Sequence, residues 1–475
     1  KFALYFDFNA RIGRIKPYQI LALNRGENLG ILTIKLEKDE EIFETTQDTY
    51  ASHLNIRQSF IIELATAFKL GYEALFGSVE NEIRGELSDL GEDDAIRAFQ
   101  TNLQALLMSR PEYGKTILAI DPGYRAGCKI CIIDTLGNPI LFDKIFLHEE
   151  ERAKSQLVNM FKKYTIDTVV IGNGTGCDET SAIIAELYTG EVIIVNESGA
   201  SVYSASPIAQ EEFPDLDSLD RGTVSIGRRY IDPLSELVKV PVGSIWVGMY
   251  QHDIAEKKLT EKLGYVVEDV VNEVGINVNN ASIYVLGHIS GIDKREAKKI
   301  YNHRPYKSRI ALQKVLSEKA YKLAIWFLRV PESFEKLDNT DIHPDQYPLA
   351  RYIIENNVTR ENYISHKQAC VALYIDTNED TLDFIRESYE NLGIEKRVGS
   401  THTKARKKLA MDQIKEWDIF DGVIRNVVAF WAFVDIGLKS DGLVHVSQLA
   451  NKFVANPSDI VSVGDRVKVK ITSID

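Results

Sequence analysis

The fold is decided by Thr116-Ile117-Leu118-Ala119-Ile120-Asp121-Pro122-Gly123. The apolar run is typical of a buried strand, and the Asp-Pro-Gly that follows it ends the strand in a turn. Strand-like runs recur at 128–134 and 139–146, with turn residues between them at 135–138. This spacing predicts three consecutive strands joined by short turns.

Helix and strand patterns alternate after the third strand. An amphipathic helix is expected at 149–164, a buried strand at 168–172, a second helix at 178–188 and a further strand at 192–195. Three strands followed by alternating helices and strands favour a mixed α/β sheet with both faces covered.

The flanking sequence divides into helical and strand-rich parts. Apolar residues recur at helical spacing before residue 110 and between 220 and 357, whereas short strands dominate from 417 onward. We therefore predict a multidomain α+β protein with a helical scaffold, an α/β domain and a C-terminal β-barrel. The predicted parts are a helical region at 1–112, the α/β domain at 113–219, a helical region with a basic hairpin at 220–335, a mixed α/β connector at 336–410 and the barrel at 411–475.

The charge of the chain is uneven. Its formal net charge is −13, which taken alone argues against a nucleic-acid partner. Residues 288–329, however, hold eleven Lys and Arg against three Asp and Glu, a local balance of +8. A basic segment on an acidic chain indicates a local nucleic-acid contact, and the alternative is a solvated helical surface.

Composition also limits the class of protein. No apolar run reaches the ~20 residues of a membrane-spanning helix, and the first residues lack a signal-peptide pattern. Four cysteines are too few for a disulfide framework, which favours a reducing cytoplasm. Cys128 and Cys131 form a lone C-x-x-C in a strand pattern, where we expect ordinary strand cysteines and no metal site.

Aromatic and basic residues cluster in the predicted barrel. Four ring side chains fall within 16 residues, and two lysines alternate with apolar residues on one face of a later strand. Rings stack on unpaired bases and lysines meet phosphates, although some of the rings must fill the barrel core. The residues concerned are Phe430, Trp431, Phe433, His445, Lys468 and Lys470.

These strands resemble an S1-type RNA-binding domain, which has an OB fold. The resemblance is carried by residues 422–427, 430–437 and 441–447, and it implies an RNA-stacking surface of Phe430, Phe433 and His445 with Asp475 at a polar position nearby. Trp431 stands where that family usually has Gly. Residues three apart point to opposite faces of a regular strand, so either a bulge lets Phe430 and Phe433 share a face or Trp431 itself supplies a ring.

A turn of Ser290-Gly291-Ile292-Asp293 lies inside the basic segment. Asp293 suits the N-cap of the next helix, and amides at a helix start hold phosphate. The turn resembles a helix-hairpin-helix motif, which implies contact with the nucleic-acid backbone by Ser290, Gly291 and Ile292 together with Lys294 and Lys298. A second hairpin expected around 314–322 has no Gly and is degenerate at best.

The α/β domain resembles the RNase H-like nucleases of the RuvC and YqgF type. Those enzymes hold two metal ions with carboxylates. Asp121 fits the first position and Glu197 the second, while Asp220 is adjacent to the expected third position, which Arg221 occupies. Asn173 stands after the intervening strand, where an acid would be needed. We therefore expect an incomplete carboxylate set, with these three acids as vestigial candidates and no catalysis.

The order of these parts resembles the Tex family of bacterial transcription accessory proteins. The stretches that carry the resemblance are 121–129, 171–175, 196–206 and 248–253. The chain is expected to start within that family's N-terminal helical part. We derive no mechanism for residues 196–206 and expect them to pack between domains.

The leading hypothesis is a non-catalytic, cytoplasmic, monomeric transcription accessory protein that binds mainly RNA and also DNA. We expect no cofactor, no metal and no membrane contact, with RNA polymerase or the ribosome as candidate protein partners. Two alternatives stay open. One is a metal-dependent, structure-selective nuclease using Asp121, Glu197 and Asp220, and the other is a protein-binding scaffold of the transcription or translation machinery.

Overall fold

The structure is a computed structural model that describes residues 2–38, 44–45, 49, 60–397, 399, 403–404, 414–428, 431–438, 441–450, 454, 457, 460–461 and 465–474. The chain forms two compact units. The first comprises Lys1–Phe99 and Gly248–Glu256, and the second comprises Gln100–Val247 and Lys257–Asp475. Among the described residues, no helix combines the length and apolarity needed to cross a membrane.

The first unit is helical. Helix α1 spans Pro17–Asn28 and begins with Pro at its first position, where the missing N–H costs no hydrogen bond. Helix α2 spans Ile61–Leu107, and its residues up to Phe99 belong to this unit. Short 3₁₀ turns occur at Ala3–Tyr5, Ile12–Arg14 and Gln251–Asp253.

The second unit contains a six-stranded mixed sheet. The three strands predicted around Asp121 form an antiparallel meander, and β1 also pairs in parallel with β4, which pairs in parallel with β5. The strand order is β3-β2-β1-β4-β5-β8. The strands are β1 (Ile117–Asp121), β2 (Cys128–Ile133), β3 (Pro139–Ile145), β4 (Thr168–Gly172), β5 (Glu191–Val195) and β8 (Thr403–Lys404).

Helices cover both faces of this sheet. Helices α3 (Glu150–Lys163) and α4 (Cys177–Leu187) pack on one face, and α7 (Ser218–Ile231) packs on the other. Alternate strand residues feed the two cores, so Cys128 is buried on the first face and Cys131 on the second. The two cysteines therefore cannot share a metal ion or a disulfide bond.

Helix α7 lies close to the sheet because it carries Gly227. A Cβ atom at this position would stand 2.8 Å from the Ala119 methyl carbon. The predicted boundary at residue 219 would separate this helix from the strands that it covers. The packing of α7 extends the α/β layer to Ile231.

Helices follow the sheet as far as the basic segment, together with a two-stranded parallel pair, β6 (Ile276–Asn277) with β7 (Leu328–Arg329). A 3₁₀ turn spans Val242–Ser244 and another spans Arg309–Lys314. The helices are α5 (Ala200–Ala205), α6 (Pro207–Glu212), α8 (Pro233–Leu237), α9 (Glu256–Val274), α10 (Ile283–Leu286), α11 (Lys294–Asn302) and α12 (Glu318–Ala324).

The predicted mixed α/β connector is helical between residues 336 and 397, and strand β8 follows at Thr403–Lys404. Helices α13 (Tyr347–Glu355), α14 (Tyr363–Leu373) and α15 (Glu379–Glu390) share one apolar core, after 3₁₀ turns at Lys336–Asn339 and Pro344–Gln346. Strand β8, which also lies within the predicted connector, pairs with β5 of the six-stranded sheet and covers its otherwise open edge.

The C-terminal strands form a separate four-stranded antiparallel sheet in the order β11-β10-β9-β12. Their inward residues, including Ile424, Ala432 and Val434, make a small core. This open half-barrel is consistent with the predicted OB fold. The strands are β9 (Ile419–Val428), β10 (Trp431–Asp435), β11 (Gly442–His445) and β12 (Arg466–Lys470), and a 3₁₀ turn follows β11 at Val446–Gln448.

Candidate nucleic-acid interface

Strand β10 presents two rings on the outer face of the C-terminal sheet. Ala432 and Val434 are buried, whereas Trp431, Phe433 and Asp435 between them are partly exposed. Successive side chains of a strand point to opposite faces, so Trp431 and Phe433 lie on the same outer face.

His445 joins these rings from the neighbouring strand. It lies directly opposite Trp431 in the antiparallel register, and the two ring centroids are 4.8 Å apart at an interplanar angle of 72°. The Nδ1 atom of His445 is 2.8 Å from the Ser447 hydroxyl, which holds the imidazole in place. Edge-to-face pairs of this kind leave ring surface open for stacking.

The strand irregularity lies elsewhere than the family pattern implies. The register between β10 and β9 shifts between Phe433 and Val434, where β9 accommodates one extra residue. The Trp431 ring lies on this outer face, as one of the two alternatives requires, while the other alternative involves Phe430. Phe430 and Asp475, which the sequence also assigned to this surface, lie outside the described residues.

Basic residues of β12 extend the ring face. Lys468 and Lys470 are exposed, and they lie opposite Asp421 and Ile419 of β9. Arg466 pairs with Val423, which also pairs with Asp435, so these cations share the outer face of the rings. Sequence reasoning missed Arg466, although it follows the same alternation.

The hairpin of the basic segment is built around Gly291. Its φ angle is +86°, and a Cβ atom there would be 2.7 Å from the Leu323 Cβ atom of α12. Both constraints favour glycine. Asp293 caps α11 as predicted, since its Oδ1 accepts hydrogen bonds from the amides of Arg295 and Glu296, each at 2.8 Å.

Two of the amides assigned to phosphate already have partners. The Ser290 amide donates to Asn272 Oδ1 at 3.1 Å, and the Ile292 amide donates to the Ile289 carbonyl at 2.9 Å. The Ile292 side chain is also buried. Ile292 therefore serves the hairpin itself, and the other four residues of the predicted set, Ser290, Gly291, Lys294 and Lys298, are exposed.

A second turn follows the first despite its lack of Gly. The Ser317 hydroxyl accepts a hydrogen bond from the Ala320 amide at 3.4 Å and so caps α12. The Ser317 amide donates to Glu296 Oε1 of α11 at 3.4 Å. The degenerate sequence thus still forms a helix start beside the first hairpin.

The +8 charge balance overstates the basic surface. Arg309 is fully buried and bonds to backbone carbonyls, Arg329 is buried against Asp341, and Arg304 is half-buried. The remaining basic side chains are exposed. They are Lys294, Arg295, Lys298, Lys299, Lys307, Lys314, Lys319 and Lys322.

A lysine lies among the predicted carboxylates of the α/β domain. Asp121 ends β1, and Lys129 lies directly opposite it on β2. The Lys129 Nζ atom is 3.1 Å from Asp121 Oδ2. Sequence reasoning missed Lys129, although a tight register between the first two strands would have paired it with Asp121.

Glu197 sits in a cleft between two glycines. A Cβ atom at Gly172 or Gly174 would collide with its carboxylate. Burial raises the pKa of Glu197 and the Asp121 charge adds to this, while the Gly174 amide and the charges of Arg229 and Lys129 lower it. Within the described residues, the buried Oε2 atom of Glu197 has no hydrogen-bond partner.

Asp220 lies within electrostatic range of Lys129. Burial and Asp217 raise the pKa of Asp220, and the Lys129 charge lowers it. Arg221 is buried and donates from Nε to the Phe213 carbonyl at 3.0 Å. The Nε atom of Arg221 is thus engaged by the backbone of the segment before α7. The cations that act on the three acids are Lys129 and the buried Arg229.

The fit of this site to the metal ions of RNase H-like enzymes is poor. The Lys129 ammonium group binds the Asp121 carboxylate oxygen that would otherwise be a metal ligand. Among the residues that the structure describes, no group of three or more His, Cys, Asp or Glu is placed to hold a metal ion. Asn173 contributes an amide whose oxygen accepts the Glu197 backbone N–H at 3.1 Å.

Helix α7 of the same α/β layer holds the start of the 196–206 segment. Arg229 is buried, and its Nη1 atom donates to the Asn196 and Ser198 carbonyls at 2.7 and 2.8 Å. Burial lowers the pKa of Arg229 to about 10. Tyr203 on α5 is only 1% exposed. These contacts fix the loop that carries Glu197.

Four protein-family models match the chain in sequence order. They are a Tex central region-like model at residues 1–99, a Tex protein YqgF-like domain at 115–231, a helix-hairpin-helix motif at 271–329 and an S1 RNA binding domain at 413–475. The chain is also 36% identical over 502 residues to the protein YdcI of Bacillus subtilis, covering 100% of this chain and 70% of that protein.

This chain belongs to the Tex family. It is 36% identical to the transcriptional accessory protein Tex of Neisseria gonorrhoeae, of which it spans 66%. A human relative, S1 RNA-binding domain-containing protein 1, is 30% identical, and the chain covers 57% of its length. The predicted Tex resemblance and fold class are confirmed. With an S1 domain and a helix-hairpin-helix motif, this Tex-family chain carries two nucleic-acid-binding modules.

Proposed function

We propose that this chain is a non-catalytic transcription accessory protein that binds RNA through unpaired bases on its C-terminal sheet. The observation that carries the proposal is the shared outer face of Trp431, Phe433 and His445. Aromatic rings bind single-stranded nucleic acid because every base offers a π-face for stacking.

The cations of β12 supply the second part of this interface. Arg466, Lys468 and Lys470 are exposed on the same face as the rings. A strand of RNA that stacks on the rings can place its phosphates along these side chains, which adds affinity without reading the sequence.

The hairpin region supplies a separate contact with the nucleic-acid backbone, in RNA or DNA. Lys294 and Lys298 are exposed on α11, next to the exposed Gly291 turn. Lysines beside a helix start attract phosphate. This contact is sequence-independent, whereas the ring face distinguishes unpaired from paired bases.

The absence of catalysis is proposed from the carboxylate site. Lys129 pairs with Asp121, the acid that a nuclease would use for its metal ions. The link to transcription is proposed from the name of the gonococcal relative, and RNA polymerase and the ribosome are the candidate protein partners.

Equilibrium binding of a labelled single-stranded RNA, measured by fluorescence anisotropy over a range of salt concentrations, tests the proposal. We expect Phe433→Ala combined with His445→Ala to weaken binding by roughly 10- to 100-fold, since base–aromatic stacking contributes about 1–3 kcal/mol per base. Phe6→Ala is the matched control, because Phe6 is 64% exposed but lies in the first unit.

Unchanged affinity in the double variant would remove the C-terminal sheet as the main RNA site. Equal loss in the Phe6 control would show a general effect of removing an exposed ring. Circular dichroism of each variant establishes that the protein is folded before binding is compared.

A further inference from the structure

We infer that Lys129 is a built-in cation that replaces the divalent metal ion of RNase H-like nucleases, so that the carboxylate site is neutralised and held together without metal. The inference rests on the non-catalytic part of the proposed function. Beyond the absence of catalysis, Lys129 takes the place of the metal ion, and its removal should create a site for a divalent cation.

Strand pairing fixes the position of Lys129. Asp121 and Lys129 are direct partners across the β1–β2 hairpin, and their charged atoms are 3.1 Å apart. The two side chains are only 16% and 22% exposed, so water screens the pair weakly. Antiparallel partners share a face of the sheet, which keeps the ammonium group beside Asp121 at the end of β1.

The Lys129 charge also acts on the other two acids. Glu197 and Asp220 both experience it, and Glu197 and Asp121 repel each other across the same space. Glu197 cannot move away easily, because Gly172 and Gly174 form a fitted cleft around its carboxylate and Arg229 holds the flanking backbone.

Removal of the ammonium group leaves Asp121 without its ion-pair partner, while Arg229 still acts on Glu197. An unpaired, partly buried charge is strongly destabilising, and a hard divalent cation with oxygen ligands relieves it. Methionine is close to lysine in length and carries no charge. Lys129→Met should therefore convert the site into one that binds a divalent cation.

The experiment measures binding of Mn²⁺ alone to the intact chain, by electron paramagnetic resonance and by thermal denaturation with Mn²⁺ or with EDTA. The wild type should show the same Tm in both. Lys129→Met should have a lower Tm than the wild type in EDTA, and Mn²⁺ should restore its Tm to the wild-type value. It should also bind Mn²⁺ about ten- to a thousand-fold more tightly than the wild type, because one adjacent charge shifts a carboxyl equilibrium by this range.

Lys144→Met is the matched control. Lys144 pairs with Lys129 from β3 and is exposed, so the variant removes the same charge from the next strand. It should leave Mn²⁺ binding and the response to EDTA unchanged. If both lysine variants gain Mn²⁺ binding equally, the effect is one of overall charge and the inference is overturned.

A double variant covers the case in which Lys129→Met does not fold. Adding Asp121→Asn removes the carboxylate that Lys129 neutralises, and should restore stability in EDTA without restoring Mn²⁺ binding. The inference fails if the double variant is as unstable as the single one, if Lys129→Met binds no more Mn²⁺ than the wild type, or if the wild type itself binds Mn²⁺ at this site. RNA binding by the C-terminal sheet is measured separately, so its failure is distinguishable.

Discussion

Trp431 occupies a position where its ring, and not a glycine, shapes the outer face of the C-terminal sheet. It lies on the same face as Phe433 and contacts His445 edge to face. We predict that Trp431→Ala weakens binding of single-stranded RNA by about 1–3 kcal/mol, because one stacking platform is removed.

Trp431→Phe is the control for this substitution. It keeps a ring at the same position and should retain most of the affinity measured by fluorescence anisotropy. Equal affinities of the wild type and Trp431→Ala would show that the Trp431 ring does not stack on RNA in the complex.

Gly227 tests the packing of α7 on the sheet. The added methyl group of Gly227→Ala would meet Ala119 and Ile133, neither of which can move without disturbing the core. We expect a loss of about 1–3 kcal/mol in the free energy of unfolding, the usual effect of overpacking. Urea denaturation followed by circular dichroism measures it.

Gly264→Ala provides the comparison. Gly264 lies inside α9, and a Cβ atom there has no neighbour within 4 Å among the described residues. Alanine should stabilise the helix by about 0.5–1 kcal/mol. A similar loss at both positions would argue against close packing of α7 as the cause.

Individual side-chain directions were the hardest feature to predict from sequence. The N-cap role of Asp293 was predictable because capping depends on local backbone alone. The directions of the Arg221 and Asp220 side chains were not predictable, because the rotation of α7 about its axis decides which residue faces the strands. Lys129 and Arg229 act through tertiary neighbours, which single-residue patterns do not reveal.

At the scale of elements, the first hairpin presents its lysines on one short helix. We predict that Lys294→Gln combined with Lys298→Gln weakens binding to duplex DNA and lowers the slope of log K against log salt by about 2, one for each phosphate that is no longer neutralised by a lysine. Nitrocellulose filter binding at several salt concentrations measures the slope.

Lys162→Gln combined with Lys163→Gln makes the same charge change elsewhere. Both lysines are exposed in the last turn of α3. This control should leave the slope unchanged. An equal effect of the two double variants would show that the hairpin lysines act only through the net charge of the protein.

Asp341 joins the segment after β7 to the residues before β8. It pairs with Arg329 and, at 2.9 Å, with Lys396. Burial alone would raise the pKa of Asp341, but the Arg329 charge and the Lys396 hydrogen bond outweigh it and lower the pKa below its usual 3.8. The resulting stabilisation is present above pH 3.8 and is lost as the pH falls through the folded-state pKa.

We therefore predict that Asp341→Asn lowers Tm at neutral pH and that the difference from the wild type shrinks as the pH falls below 3.8. Thermal denaturation of both proteins across this range measures the difference. Asp345→Asn, at a side chain that is 80% exposed, should show little effect. A Tm difference for Asp341→Asn that does not depend on pH would contradict the ion-pair explanation.

Elements were more predictable than the connections between them. The meander around Asp121 and the alternation that follows it came directly from residue patterns, because each strand has its own apolar run. The pairing of β8 with β5 could not be predicted from residue patterns, because strands so far apart along the chain carry no local signal of their pairing.

At the scale of the whole molecule, the net charge does not describe the charge of the local surfaces. The chain carries a formal charge of −13, yet exposed cations collect at the first hairpin and on β12. Local charge steers a polyanion, while the remaining acidic surface disfavours nonspecific contact. The nuclease-like domain keeps its fold but places a lysine where metal chemistry would require an open carboxylate.

The central claim is that this molecule binds RNA and does not cut it. The most direct test incubates end-labelled single-stranded RNA with the wild-type chain in EDTA, Mg²⁺ or Mn²⁺ and measures the bound and the intact fractions from the same samples. We predict saturable binding in all three conditions and fully intact RNA. Metal-dependent cleavage that disappears in Asp121→Asn would contradict the account.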